Sequence, residues 1–290
     1  ATEEICAKEL EKNKSSLKSG VDFFLGYSPE RVNPGDKKRT IDKINKVISG
    51  QNKKVETILF DIYSKLTEGE IFLAKNIKVA EASKVIENAQ RDINIAFINE
   101  VAKICSKLNI SIYDVLDASN TKWNFLPFLP GLVGGHCIGV DPYYLSHKAK
   151  ELRVDPEVIL SGRRTNDNMT KFIFKEIQKR LKKKANILFL GVTFKEDVPD
   201  LRNSKAIELL SFFRQPKFDV FINDPFINDD AYIKYKDLIE KSFDAIILTV
   251  PHTFYKEKFL HIKKLLKKDG ILFDIKGIFR NKNMKNYWSL

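Results

Sequence analysis

Between residues 79 and 108 the chain has neither glycine nor proline. Apolar residues recur there at Ala82, Val85, Ile86, Ala89, Ile93, Ala96 and Phe97, at steps that keep to one helical face. About 30 residues at about 1.5 Å each make a helix roughly 45 Å long. A helix of that length usually bridges domains or subunits, so the rest of the chain is expected to fold on either side of it. Lys84, Asn88 and Asp92 follow one another at i, i+4, i+8 and share a different face.

On the N-terminal side, helix and strand patterns alternate. Glu3 to Glu11 reads as an amphipathic helix and Asp22 to Tyr27 as a short strand. Thr40 to Ile48 and Lys53 to Leu66 have helical spacing, and Glu70 to Lys75 reads as a strand. On the C-terminal side, Thr121 to Val140 is a loop rich in proline, glycine and aromatic residues. Asp141 then stands as an N-cap with Pro142 at the first helical position. Asp155-Pro156 starts another helix that runs towards Lys184. Ala185 to Gly191, Phe218 to Asn223, Asp244 to Val250 and Gly270 to Ile275 are continuous apolar runs separated by helical segments, the signature of a parallel sheet with right-handed crossovers. In such sheets ligands bind beyond the C-terminal strand ends. Lys195, Asp224, Pro251-His252 and Lys276 fall there.

Composition narrows the class. The 290 residues are 43% hydrophobic and 30% charged, the balance of a globular domain. No stretch approaches the roughly 20 apolar residues of a membrane span, and no secretory signal opens the chain. Three widely spaced cysteines, Cys6, Cys105 and Cys137, indicate neither a disulfide framework nor a zinc site, and fit a reducing cytoplasm. The net charge of +12 raises the possibility of a nucleic-acid partner. The lysines are scattered, however, and the runs Lys182 to Lys184, Lys263-Lys264 and Lys267-Lys268 read as helix C-termini that complement the dipole. No aromatic and basic stripe accompanies them, so neither nucleic acid nor membrane is expected as a partner.

The stretch Gly134-Gly135-His136-Cys137-Ile138-Gly139-Val140-Asp141 carries most chemical information. Glycines permit close backbone approach to a ligand. A cysteine between such a turn and a helix N-terminus, beside a histidine, is where nucleophilic thiols are found. A turn around an inert buried cysteine has the same local pattern. Ser28-Pro29-Glu30-Arg31-Val32-Asn33-Pro34-Gly35 follows a strand and suits a substrate site or a surface turn equally. Lys84 and Asn88, one turn apart, would stabilise an oxyanion or form a solvated face. Lys195 and Arg202 lie on Gly191 to Ser204, where they would hold phosphates or flank an ordinary strand-to-helix loop capped by Asn203 or Ser204. No histidine pattern for a metal is present. None of the 13 glycines makes a Gly-x-Gly-x-x-Gly dinucleotide fingerprint.

In order, Phe23 to Asp36, Glu81 to Glu100, Trp123 to Leu145 and Ile187 to Leu209 resemble the UDP-glucose/GDP-mannose dehydrogenase family, and most closely its UDP-N-acetylhexosamine branch (UDP-GalNAc or UDP-GlcNAc 6-dehydrogenases). The resemblance implies an α/β chain in three parts. Residues 1–77 would be the remnant of an NAD-binding Rossmann domain. Residues 78–183 would be a central helical part whose 78–109 helix forms a homodimer, and 184–290 a Rossmann-like UDP-sugar-binding domain. Ala1 matches a point late in the family's N-terminal domain, so the glycine fingerprint is expected upstream and this chain alone would be inactive.

The reaction so implied is a two-step oxidation of a sugar C6 alcohol to the uronic acid, through a thiohemiacetal and a thioester on Cys137, for surface polysaccharide biosynthesis. Lys84 and Asn88 would stabilise oxyanions, Asp141 would assist proton transfer or position water, and Glu30 matches the hydrolytic acid. Arg31, Gly134, Gly135, His136, Lys195 and Lys276 would contact the sugar nucleotide, and Arg202 the cofactor or an interdomain face. Two positions depart from the family: Pro34 stands where UDP-glucose enzymes carry a second glutamate, and Leu129 where relatives often carry arginine or lysine. A UDP-glucose or GDP-mannose enzyme, or a non-catalytic UDP-sugar-binding and dimerisation module, are the alternatives.

Overall fold

The structure, a computed structural model, describes all residues except 14–15, 182–183 and 239–240. It divides into two units, Ala1–Asn88 and Ala89–Leu290, with the boundary inside the long helix. The first unit opens with a π-type turn, Thr2–Cys6, that continues into α1 (Ala7–Asn13). Strand β1 is Gly26–Tyr27, β2 is Lys46–Gly50 and β3 is Ile71–Leu73, with α2 (Lys53–Leu66) between the last two. β1 pairs antiparallel with β2, and β2 pairs parallel with β3. Asn52 caps α2 by accepting the Val55 amide, which explains the sharp start at Lys53.

Two expectations change here. The strand expected over Asp22 to Tyr27 shrinks to two residues. Thr40 to Ile48 is not a helix: its last three residues open β2, in which all five residues are buried. A short apolar run fits either structure, and pairing on both sides decided for the strand.

Helix α3 spans Ile77–Leu108. Asn76 accepts the Val79 amide and adds the first turn that hydrophobic spacing alone does not mark. In the second unit α4 (Ile112–Ser119) is capped by Ser111, and α5 (Asp141–Glu151) follows the long loop. The helix expected from Asp155-Pro156 to Lys184 is two, α6 (Glu157–Asp167) and α7 (Met169–Arg180), broken at Asn168.

A five-stranded, all-parallel sheet then forms from β4 (Ala185–Leu190), β5 (Phe218–Asn223), β6 (Phe243–Leu248), β7 (Leu266–Asp274) and β8 (Tyr287–Ser289), in the order β5-β4-β6-β7-β8. Its apolar runs are continuous because both faces are covered. Ile187, Phe189, Ala245, Ile247 and Phe273 pack towards α4, α7 and α8 (Lys205–Ser211). The alternate residues Leu188, Leu190, Ile246, Leu248 and Leu272 pack with Tyr255 of α9 (Thr253–Lys256) and Ile262 of α10 (Phe259–Lys264). Each fully buried side chain of this kind contributes about 1.5–3 kcal/mol.

Of the lysine runs, Lys263-Lys264 ends α10 as expected, whereas Lys267-Lys268 lies in β7. The run at 182–184 begins outside the described residues. No helix among the described residues is long and apolar enough to cross a membrane.

Candidate functional site

Cys137 sits half-buried at the end of the loop that leads into α5. Its carbonyl accepts the amides of Val140 (3.0 Å) and Asp141 (2.9 Å). These bonds start the helix one residue earlier than the sequence suggests: Val140 is the N-cap, Asp141 the first helical residue and Pro142 the second. Asp141 is therefore not the cap. Its carboxylate stands in the first turn of an 11-residue helix, where the dipole favours negative charge.

The loop is held by the segment after β4. A Cβ on Gly134 would lie 2.6 Å from the Asn203 carbonyl oxygen, closer than such contacts come. Gly135, at φ +85°, donates its amide to the same carbonyl (3.3 Å), and Asn203 Nδ2 donates back to the Gly135 carbonyl (3.4 Å). His136 is exposed and meets the Phe194 ring edge-on. Ser204, not Asn203, caps α8, accepting the Ile207 amide while its hydroxyl donates to the Val192 carbonyl. Beside this junction lies a cavity of about 300 Å³ lined by Gly134, Gly135, Gly139, Tyr143, Arg163 and Lys205.

The C-terminal ends of the central strands gather the other candidates. After β4, Lys195 is half-buried, and its neighbour Glu196 takes Lys256 and Lys276 at 2.9 Å each. Burial works to raise the Glu196 pKa, but the Lys276 charge and the Lys256 hydrogen bond outweigh it and hold the carboxylate ionised. His252 is fully buried, and its Nδ1 accepts the Asp197 amide. The proton therefore sits on Nε2 and points at Asp224 Oδ2, 3.1 Å away. Asp224 also accepts the Val192 and Phe226 amides. Burial pushes its pKa up, and the His252 and amide hydrogen bonds more than reverse that. His252 is thus a structural strut for the β4 turn. Arg202 is exposed and held by Asp200 at 2.6 Å.

In the first unit, Glu30 turns back on its own loop and accepts the Arg31 and Val32 amides at 2.7 Å. Arg31 pairs with Glu87 at 2.8 Å and donates to the Asn45 carbonyl. This ties the Glu30-Arg31 turn to the stretch of α3 that carries Lys84 and Asn88, both half-buried.

One cluster was not anticipated. Asp92, Asn99, Arg163 and Asn166 are each no more than 2% exposed and hydrogen-bonded into one group. Its signal in the sequence is two polar residues seven apart, Asp92 and Asn99, set among the apolar positions of α3. No His, Cys, Asp or Glu grouping suited to a metal occurs among the described residues.

Residues 78–168 match the central domain of the UDP-glucose/GDP-mannose dehydrogenase family, and residues 188–281 its UDP-binding domain. Protein CapL of Staphylococcus aureus is 50% identical, over 97% of this chain and 69% of its own length. A UDP-N-acetyl-D-glucosamine 6-dehydrogenase of Pseudomonas aeruginosa is 44% identical, over 95% of this chain and 68% of its own. Among solved structures, the UDP-N-acetyl-mannosamine dehydrogenase Cap5O from S. aureus superposes with a TM-score of 0.83 at 29% identity, covering 99% of this chain and 69% of that one.

Proposed function

The chain belongs to the UDP-glucose/GDP-mannose dehydrogenase family, and from that premise we propose that it carries the nucleophile and the sugar-nucleotide side of an NAD-dependent UDP-N-acetylhexosamine 6-dehydrogenase. The observation that carries the reading is the glycine loop. It docks through Gly134 and Gly135 on the turn after β4, and it places Cys137 one turn before the α5 carboxylate of Asp141. Relatives named as UDP-N-acetyl-D-glucosamine 6-dehydrogenase and UDP-N-acetyl-mannosamine dehydrogenase support the substrate class.

In this reading the Cys137 sulfur adds to the carbonyl carbon of a C6 aldehyde and forms a thiohemiacetal. Lys84 and Asn88 would stabilise its oxyanion. Loss of a hydride leaves a thioester. Water then attacks, with Asp141 and Glu30 as proton carriers, the carbon–sulfur bond breaks, and the uronate leaves with the thiol restored. Lys195 and Lys276, at the strand ends, would meet the diphosphate, with Arg31, His136 and the loop amides about the sugar.

NAD supplies the hydride acceptor for such chemistry. The chain has no Gly-x-Gly-x-x-Gly, and its β2-to-α2 turn is closed: a Cβ on Gly50 would lie 2.6 Å from the Glu56 amide nitrogen. These residues do not fit a pyrophosphate cradle there. Arg202, on the exposed edge of the β4 loop, would reach a cofactor phosphate from outside it. Exposed Ile86, Phe97, Ile104 and Leu108 on α3 support a homodimer along that helix, and a uronate product would serve surface polysaccharide assembly. The test is Cys137→Ser in the intact protein, which should still bind a UDP-N-acetylhexosamine and form no uronate. Full activity in that variant would end the reading.

A further inference from the structure

The Cys137 loop has a second anchor, upstream of the glycine pair. Gly131 is buried, with φ +155°. Both of its polar backbone groups go to one side chain on α3: its amide donates to Asn99 Oδ1 (2.8 Å) and its carbonyl accepts from Asn99 Nδ2 (3.0 Å). Asn99 Nδ2 also donates to Asn166 Oδ1 (2.8 Å). Asn166 Nδ2 in turn donates to the Asp92 carbonyl (3.0 Å) and to Asp92 Oδ1 (2.7 Å), the oxygen that Arg163 holds at 2.6 Å.

The donors and acceptors in this chain are not interchangeable. Carboxylate oxygen only accepts, so Asn166 must turn its NH2 towards Asp92 and its oxygen towards Asn99. Asn99 must then present NH2 to Asn166 and to the Gly131 carbonyl, which leaves its oxygen for the Gly131 amide. A buried charge thereby fixes the orientation of a carboxamide, and that carboxamide fixes the loop six residues before the thiol. The same loop position lies against Lys276: a Cβ on Gly131 would be 3.9 Å from the Lys276 Cε.

We propose that Asn99 is a positioning residue for Cys137, and that the Asp92–Arg163 pair, through Asn166, sets the orientation in which Asn99 grips the loop. This rests on the proposed function for the meaning of Cys137 as nucleophile, but the geometry is testable without turnover. A residue that merely filled space would tolerate an isosteric change. Asn99→Asp keeps the acceptor for the Gly131 amide and, when ionised, sets oxygen against the Gly131 carbonyl and Asn166 Oδ1. Surrounded by acceptors and buried, the new carboxyl takes up a proton readily, and the protonated form regains one donor.

The experiment compares wild type, Asn99→Asp and Asn99→Ser by hydrogen exchange of the segment 128–140 and by the iodoacetamide alkylation rate of Cys137. Exposed Cys6 and buried Cys105 serve as internal references. At pH 8 both variants should exchange the segment roughly tenfold or more faster and shift the Cys137 rate by at least about threefold. At pH 5 protection should return in Asn99→Asp and not in Asn99→Ser. Unchanged exchange and alkylation in folded variants would overturn the proposal. Should neither variant fold, the Gly131 amide of the wild type decides: slow exchange, matching α3, supports the grip, and fast exchange overturns it. An intact protein, its NAD-binding part included, that oxidises no UDP-sugar would sink the proposed function and leave these measurements standing.

Discussion

Arg163→Met is the most informative stability perturbation, because it removes one half of a pair that water does not reach. The Arg163 and Asp92 side chains are 3% and 0% exposed and 2.6 Å apart. Breaking such a pair from one side costs about 3–5 kcal/mol, since the remaining charge stays buried. Asp167, the second carboxylate on Arg163, keeps Lys205 and Tyr143 and is partly exposed, so its loss is minor. The Arg163 Nε has no partner, and deleting it returns a little. The lower end, about 3 kcal/mol, is expected.

Burial raises the Asp92 pKa, and the attraction of Arg163 reduces that rise without cancelling it. A carboxyl whose folded pKa is raised contributes stability that is complete below its unfolded pKa and lost as pH climbs through the folded one. Without Arg163 the folded pKa climbs further. The deficit of Arg163→Met should therefore be larger at pH 8 than at pH 5. Adding Asp92→Asn, which keeps an acceptor for Asn166, should recover at least about half of it at pH 8. Both tryptophans, Trp123 and Trp288, lie in the second unit, so urea unfolding followed by their fluorescence reads the correct transition. A loss under about 1 kcal/mol, or a double variant no better than the single one at pH 8, would refute the reasoning.

Two further outcomes follow from the site. Gly134→Ala should cost about 1–3 kcal/mol, because the new methyl meets backbone oxygen that cannot yield, and limited proteolysis should cut the loop 131–140 in the variant but not in the wild type. Asp224, whose pKa is held below the ordinary carboxylate range, contributes stability above its unfolded pKa that is lost as pH falls through the folded one. Asp224→Asn should thus lower the melting temperature most above the unfolded carboxylate pKa and progressively less as pH falls below it, and a loss that does not change with pH would contradict that assignment.

What the sequence displayed depended on the range of the interactions. α2 was legible to the residue because its helical spacing is complete within Lys53 to Leu66, and the parallel sheet was legible because apolar runs buried on both faces have no period to disguise. Thr40 to Ile48 misled because a strand five residues long carries too few positions to tell a period of 2 from one of 3.6. The break at Asn168 left no local mark, since neither glycine nor proline stands there. The grip of Asn99 on Gly131 was hidden for a different reason: its partners lie 32 and 67 residues away. Cys137 and its glycines were visible because contiguous residues build that turn, whereas the Asn203 carbonyl that holds it comes from the turn after β4.

The central claim is that Cys137 bonds covalently to the substrate. Rapid acid quenching of the intact protein, its NAD-binding part included, with NAD and a UDP-N-acetylhexosamine, followed by peptide mass mapping, tests it directly. The account predicts the sugar nucleotide attached to the peptide that contains Cys137, and no adduct on those with Cys6 or Cys105. Uronate formed with Cys137 unmodified at every quench time and in the Cys137→Ser variant would contradict it.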